Sequence, residues 1–316
     1  GETGVTFAAN QIIACAGAKQ ALYNACMALL DEGDEAIVPV PGWVSYPDMV
    51  KLAGATPVDL VLDAARGFIP RPGDLTKLLT PKTRVLMLGS PANPTGAILP
   101  PEALKQIAEE LKPFPNVVVL SDDIYGRLWY TARPANILQA APELAERTLL
   151  INGCSKAFAM TGLRLGWACG PAPIIAAMNK VQDSSTSNPS SIAQDGAVAA
   201  LMGPQEGVEH MRQVFAQRRT KMVSLLSAIP GVKAAPPDGA FYVFCDVSAL
   251  LERSHKGARV GTTLKLSEIL LDEHLLAVVP GSAFGAEGFL RLSFASSERE
   301  IERAMERMAA CAASLT

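Results

Sequence analysis

The sequence has few of the residues that build metal centres, disulfide frameworks or membrane spans. Its 316 residues include three histidines and six cysteines, and the cysteines are scattered without any CxxC pair. The histidines do not have metal-ligand spacing, so we expect no metal site. No apolar run approaches the roughly 18 to 20 residues that a membrane span requires. The first residues carry no basic region followed by an apolar core, so a cytoplasmic location is the default expectation.

Charge of either sign is modest and evenly spread. The formal net charge is -3, with 19% charged residues and no long run of one sign. This distribution lacks the basic surface that nucleic acids or acidic membranes attract, so the expected partners are small molecules or a second subunit. Apolar residues make up 49% of the chain, which is enough for a large core.

The hydrophobic pattern divides the chain into two parts. Up to residue 205, short β-branched runs alternate with longer helical patterns, which predicts an α/β domain around a mainly parallel sheet. The predicted strands lie at 35–40, 83–89, 116–121, 147–151 and 164–169, and the predicted helices at 18–31, 101–111, 172–182 and 191–202. Residues 206–316 begin with a long charged helix, continue with shorter strands and end in an amphipathic helix, which predicts a smaller α+β domain.

Polar residues follow three of the predicted strands. Asn93 lies after the second strand, Asp122 and Tyr125 after the third, and Lys156 after the fourth. Taken alone, such residues are usually turn formers, helix caps or solvated side chains. Ligands of open α/β sheets bind beyond the carboxyl ends of the strands, so these four groups should converge. A pyridine aldehyde cofactor needs an amine, a carboxylate for its ring nitrogen and donors to its phenolate oxygen.

Four segments in this order resemble the motifs of the fold-type-I, class I aminotransferases, and most closely the bacterial branch of the aspartate aminotransferase family. They read SPANPTG, SDDIY, SKAFAMTGLRLGW and FLRLSFA. The resemblance covers essentially the whole chain and implies pyridoxal phosphate (PLP) as cofactor and a homodimer. Family members carry some seventy or more residues before the segment that matches residues 6–16, so this chain is expected to be either part of a longer protein, which we favour, or a truncated form that binds the cofactor poorly.

The resemblance also assigns roles around the cofactor ring. Lys156 is similar to the lysine that carries PLP as a Schiff base. Asp122 is similar to the carboxylate that pairs with the pyridine nitrogen, and the adjacent acid, Asp123, is expected to act in structure or solvation. Tyr125 and Asn93 resemble the donors to the phenolate oxygen. An aromatic that stacks on the ring is expected at position 43, in the segment PGWVSYPDM.

A phosphate site is expected at the start of the first helix. Gly17, Ala18 and Lys19 open that helix, whose free backbone amides form an anion site, and they resemble the family's phosphate turn. For Lys19 itself, a solvated helix position remains an equal alternative. Arg164, eight residues after the PLP lysine, is similar to the phosphate arginine. Ser155 is a further candidate, although the family often has its serine three residues before the lysine, where this chain has glycine.

The residue expected to bind the substrate's carboxylate lies on the last predicted strand. Arg291 resembles the arginine that binds the substrate's α-carboxylate, with Asn93 beside it. Trp43 completes the set of expected site residues. The resemblance implies transfer of an amino group from an L-amino acid to a 2-oxo acid. An aspartate-like donor and 2-oxoglutarate are favoured, while aromatic amino acids, alanine and prephenate remain possible. A PLP-dependent lyase on the same fold and the aminotransferase-like domain of a transcription regulator are the alternatives.

Overall fold

The structure is a computed structural model that describes residues 4–316. The strands are β1 (Ile12–Cys15), β2 (Glu35–Val40), β3 (Thr56–Val61), β4 (Thr83–Gly89), β5 (Val118–Asp122), β6 (Thr148–Gly153), β7 (Gly166–Cys169), β8 (Tyr242–Asp246), β9 (Ser254–His255), β10 (Ala258–Arg259), β11 (Val279–Pro280) and β12 (Phe289–Ser293). A seven-stranded sheet has the order β1-β7-β6-β5-β4-β2-β3, and a three-stranded sheet has the order β11-β12-β8.

The helices alternate with the strands of the large sheet and then dominate the C-terminal part. They are α1 (Ala18–Leu29), α2 (Ser45–Leu52), α3 (Pro101–Leu111), α4 (Ile137–Ala140), α5 (Cys154–Ala157), α6 (Ala172–Asp183), α7 (Ser191–Met202), α8 (Glu206–Ser227), α9 (Ser248–Leu251), α10 (Thr263–His274) and α11 (Glu298–Ser314). Within residues 4–316, no helix is both long and apolar enough to cross a bilayer.

The expected mainly parallel sheet is confirmed. Strands β3, β2, β4, β5 and β6 run parallel to their neighbours, and β7 and β1 add antiparallel pairs at one edge. Each central strand is apolar on both faces. On β4, for example, Val85 and Met87 belong to one buried cluster and Leu86 and Leu88 to the other. Residues that alternate along a strand point to opposite faces, so helices cover both sides, as parallel sheets require.

The C-terminal part is smaller and antiparallel. Strand β12 pairs with both β8 and β11 in antiparallel register, and α8, α10 and α11 pack around this sheet. The buried cluster on one face of the large sheet continues into this part through residues such as Leu290 and Phe294. These helices and antiparallel strands are the kinds of element expected for a small α+β unit. The boundary between 205 and 206, which coincides with the start of α8, stays a prediction.

Candidate active site

A cavity of about 340 Å³ lies beyond the carboxyl ends of β4, β5 and β6. Ten of the residues predicted from the sequence line it: Ala18, Lys19, Trp43, Asn93, Asp122, Tyr125, Ser155, Lys156, Arg164 and Arg291. The eleventh, Gly17, lies directly behind Arg164. The lining residues that the sequence analysis missed are Leu22, Tyr46, Gly89, Pro91, Ile124, Thr161 and Tyr242.

Asp122 is a buried carboxylate at the end of β5, with only 6% of its surface exposed. Its Oδ2 accepts a hydrogen bond from Tyr46 Oη at 2.9 Å, and its Oδ1 accepts from the Ile124 backbone amide at 3.3 Å. Within residues 4–316 it forms no salt bridge. Burial raises the pKa of Asp122 to about 6, although these hydrogen bonds and the charge of Lys156 oppose that rise. A buried acid in this state favours a cationic partner.

The neighbouring Asp123 points away from the cavity. Its Oδ1 accepts a hydrogen bond from Ser121 Oγ at 2.8 Å, and its backbone amide donates to Ile151 O at 2.8 Å. Burial, opposed by the Ser121 hydrogen bond, raises the pKa of Asp123 as well. The two adjacent acids thus diverge as alternation along an extended strand end predicts. Only Asp122 reaches the cavity.

Arg291 contacts Asn93, which was predicted, and Tyr242, which was not. Its Nη1 donates to Asn93 Oδ1 at 2.9 Å, and its guanidinium lies 4.4 Å from the ring centroid of Tyr242. Tyr242 Oη in turn lies 2.9 Å from Tyr125 Oη. The hydrogen bond and the ring contacts therefore hold the guanidinium in place. Among residues 4–316 it has no carboxylate partner.

Lys156 sits on the short helix α5, directly after β6, with its ammonium 5.6 Å from the ring centroid of Phe241. Burial lowers the pKa of Lys156, and the charges of Arg164 and Arg291 lower it further, while Asp122 opposes them. A lysine whose pKa is lowered has a larger neutral, nucleophilic fraction at neutral pH. The surroundings of Lys156 therefore suit covalent chemistry at its amine.

Arg164 packs tightly over the turn before α1. Gly17 has φ +91°, and a Cβ at that position would lie 2.4 Å from Arg164 Nη2. Arg164 also donates from Nη1 to Thr161 O at 3.0 Å and from Nη2 to Ala16 O at 3.3 Å. Only glycine fits under the guanidinium with this backbone conformation. The close approach places a permanent positive charge at the helix N-terminus.

The first turn of α1 supplies free amides beside that charge. The Gly17 amide donates to Cys15 O at 2.7 Å, whereas the Ala18 and Lys19 amides form no hydrogen bond within residues 4–316. Lys19 Nζ lies 4.8 Å from the ring centroid of Trp43. Free helix amides together with an arginine make an anion site. In total the cavity wall carries four cationic side chains and one carboxylate, which suits an anionic ligand.

Two tyrosines were missed because they contact predicted residues through the fold. Tyr46 lies in the first turn of α2, whereas Trp43 precedes the N-cap of that helix, so no helical spacing relates the two residues. Tyr242 opens β8, where it pairs with Ser293 on the strand that carries Arg291. No local pattern predicts that pairing.

The chain matches the family model "Aminotransferase class I and II" over residues 1–308. This chain belongs to that family. The chain is 44% identical over 308 residues to the aspartate aminotransferase of Geobacillus stearothermophilus, a match that covers 97% of this chain and 77% of the relative. It is 42% identical to the aspartate/prephenate aminotransferase of Cereibacter sphaeroides, with 100% of this chain and 79% of the relative covered.

Solved structures of aminotransferases share the fold. The aspartate aminotransferase of Rhizobium meliloti superposes with a TM-score of 0.96 at 42% identity, covering 100% of this chain and 79% of that one. The Thermus thermophilus aspartate aminotransferase with maleate gives a TM-score of 0.91 at 40% identity, covering 98% and 78%. The predicted fold class and the prediction of a transaminase are therefore confirmed. Neither alternative, the lyase or the transcription regulator, gains support from these relatives.

Proposed function

We propose that this aminotransferase uses PLP to move the amino group of an aspartate-like L-amino acid to a 2-oxo acid such as 2-oxoglutarate. The observation that carries the proposal is one cavity that combines an amine of lowered pKa, a buried carboxylate that forms no salt bridge among the described residues, and two arginines without carboxylate partners there. The names of the aspartate and aspartate/prephenate aminotransferase relatives support the substrate class.

The residues around the cavity fit the ring of PLP. Lys156 would hold the aldehyde covalently, and Asp122 would pair with the protonated pyridine nitrogen. Asn93 and Tyr125 would donate to the phenolate oxygen, and Trp43 would stack on the ring. The fit is supported by Asp122, because a buried carboxylate with a pKa raised to about 6 needs a cation to remain ionised at low cost. A pyridinium nitrogen is such a cation.

The phosphate of PLP fits the turn before α1. The free amides of Ala18 and Lys19 and the Arg164 guanidinium would bind its oxygens, with Ser155 as a further donor on the same wall. Gly17 contributes by its lack of a side chain, which lets Arg164 lie against the turn. This arrangement would hold the phosphate through several charge-assisted hydrogen bonds.

PLP, when bound, supplies an electron sink for the charge left on the substrate's α-carbon when its proton is removed. Lys156 would be released when the substrate's amine takes its place on the aldehyde, and its Nζ would then carry the proton from the α-carbon to the aldehyde carbon. Its lowered pKa increases the unprotonated fraction of the amine. Arg291 binds the α-carboxylate in planar, bidentate fashion and so fixes the α-carbon relative to the lysine. The negative charge of Asp122 would keep the pyridine nitrogen protonated, which makes the cofactor ring a better electron acceptor.

We also propose a homodimer formed by the large domains. Helix α7 exposes apolar side chains, with Ile192 78%, Val198 61% and Met202 83% exposed. Leu163, beside the proposed phosphate arginine, is 43% exposed. Monomers rarely leave such a set of apolar side chains in water, whereas obligate interfaces are built from them. A second copy of the chain covering α7 accounts for this surface.

The test is an assay with PLP, a panel of amino acids and 2-oxoglutarate. L-aspartate should give glutamate and oxaloacetate at a higher kcat/KM than alanine or aromatic amino acids. Formation of glutamate should require the 2-oxo acid. Release of ammonia and pyruvate without any acceptor would instead identify a lyase and contradict the proposal. Preference for an uncharged donor would contradict only its substrate part.

A further inference from the structure

Two buried phenols meet in the cavity wall, and the proposed function uses only one of them. Tyr125 is 5% exposed and Tyr242 is 7% exposed, and their hydroxyl oxygens lie 2.9 Å apart. Their rings make an edge contact at 5.8 Å. Tyr125 follows β5 of the large sheet, whereas Tyr242 opens β8 of the three-stranded sheet. This hydrogen bond therefore joins the two sheets inside the cavity.

Tyr242 also supports the arginine proposed to bind the substrate. Strand β8 pairs with β12 so that Phe244 lies opposite Arg291 and Tyr242 opposite Ser293. Tyr242 and Phe244 are two residues apart and face the same side of the sheet, so the Tyr242 ring lies diagonally beside Arg291. The guanidinium is 4.4 Å from the ring centroid, a cation–π contact that holds it in place.

A phenol has a single proton, which determines the direction of the hydrogen bond once the cofactor is bound. Tyr125 must donate to the cofactor's phenolate oxygen, so its own oxygen is left to accept from Tyr242. We infer that Tyr242 is a positioning residue: its hydroxyl donates to Tyr125 and directs the Tyr125 proton into the cavity, and its ring seats Arg291. A phenol that accepts a hydrogen bond becomes a stronger donor. The inference rests on the proposed function.

The ionisable groups that act on this pair of phenols are Arg291 and Asp122, together with the two phenols themselves. Both charged groups remain when the Tyr242 hydroxyl is removed. A change of proton affinity in such a variant therefore reports the hydrogen bond and not a loss of charge.

The decisive variant is Tyr242→Phe, which keeps the ring under Arg291 and removes only the hydroxyl. The readout is the visible absorbance of bound PLP as a function of pH in the PLP-loaded protein. A donor to the phenolate oxygen lowers the proton affinity of the bound cofactor, so Tyr125→Phe should raise the midpoint. Tyr242→Phe should raise the protonation constant in the same direction, by about three- to tenfold, which is typical of a single hydrogen bond. The double variant should match Tyr125→Phe alone, because Tyr242 acts through Tyr125.

The role of the ring is tested separately with Tyr242→Leu. This variant should raise the dissociation constant of a non-reactive dicarboxylate such as maleate, whereas Tyr242→Phe should leave that constant within about twofold. The matched control is Tyr130→Phe, which removes another largely buried phenol hydroxyl that donates to Ala240 O and lies outside the cavity. The control should change neither the absorbance midpoint nor maleate binding.

The outcomes separate the inference from the function it rests on. If Tyr125→Phe shifts the midpoint but Tyr242→Phe does not, or if their effects add, Tyr242 does not act through Tyr125 and the inference is wrong while the proposed function stands. An equal shift in Tyr130→Phe would overturn it as well. If the wild-type protein shows no visible PLP band at any pH, the proposed function fails, and the inference fails with it.

Discussion

Asparagine at position 122 should make the cofactor-free protein more stable at neutral pH. Burial raises the pKa of Asp122 in the fold to about 6 from an ordinary 3.8, a difference worth about 3 kcal/mol at pH 7. The folded state thus binds this proton more tightly than the unfolded chain does. Asp122 therefore makes stability fall as pH rises from about 4 to about 6, and the loss persists above that range. Asp122→Asn removes the buried charge, and its amide oxygen can still accept from Tyr46, whereas the amide nitrogen that replaces Oδ1 cannot accept and gives up the longer hydrogen bond from the Ile124 amide.

The same variant should impair the enzyme. With PLP bound, the pyridinium nitrogen would pair with the ionised Asp122, so the charge that is costly in the free protein becomes favourable in the complex. Asp122→Asn loses this charged hydrogen bond, and transamination should slow by several orders of magnitude. Urea unfolding of the cofactor-free proteins at pH 5 and pH 8 measures the first effect. The rate of the half-reaction with L-aspartate measures the second.

Asp123→Asn is the matched control. Its pKa is also raised by burial, so it too should stabilise the free protein, and stability alone does not separate the two acids. Its side chain contacts Ser121 and does not line the cavity, so its catalytic cost should be far smaller. If Asp123→Asn lost transamination activity and Asp122→Asn kept it, the wrong acid would have been assigned. Lower stability of Asp122→Asn at pH 8 would refute the electrostatic reasoning.

Three further outcomes are expected. Lys156→Ala should abolish turnover yet still bind PLP noncovalently, so borohydride should fix cofactor to the wild-type chain and not to the variant, as mass spectrometry would show. Gly17→Ala should weaken PLP binding about tenfold or more, because of backbone strain and the clash with Arg164. Gly73→Ala is the control: Gly73 also has a positive φ, 85°, but faces open space, so this variant should not weaken PLP binding. Ile192→Glu should convert the proposed dimer to monomer in sedimentation, and an unchanged dimer would place the interface elsewhere.

The predicted site residues that converge share a local cause. Asn93 and Lys156 follow strands β4 and β6, and Asp122 is the last residue of β5. The carboxyl ends of these strands meet at the same edge of a parallel sheet, so strand prediction alone brings the three residues together. Strand β4 was predicted with its observed bounds of 83–89, and β2 with its bounds of 35–40. Long buried runs of β-branched and apolar residues carry this signal. Their positions therefore follow from the sequence with little knowledge of tertiary contacts.

Two strands of the large sheet were missed, and they lie at its two edges. Strand β1 has four residues and pairs only with β7, and β3, with the sequence TPVDLV, pairs only with β2. Strand β3 is partly exposed and contains Pro57 and Asp59, so it lacks the apolar run of a central strand. Strand β1, with the sequence IIAC, is apolar but only four residues long, which is too short for periodicity to identify it as a strand. Tertiary pairing, and not local propensity, makes these segments strands.

The residues that adjust the proposed chemistry were missed for a related reason. Tyr46 donates to Asp122 from a position 76 residues away, and Tyr242 meets Tyr125 across 117 residues. The Tyr46 hydrogen bond is the largest influence that offsets the rise in the Asp122 pKa, so the charge of the acid depends on a residue outside its own motif. A motif reports which groups a strand end carries. The proton affinities of those groups depend on the elements that pack against them, and these become known only when the sheets and helices are placed together.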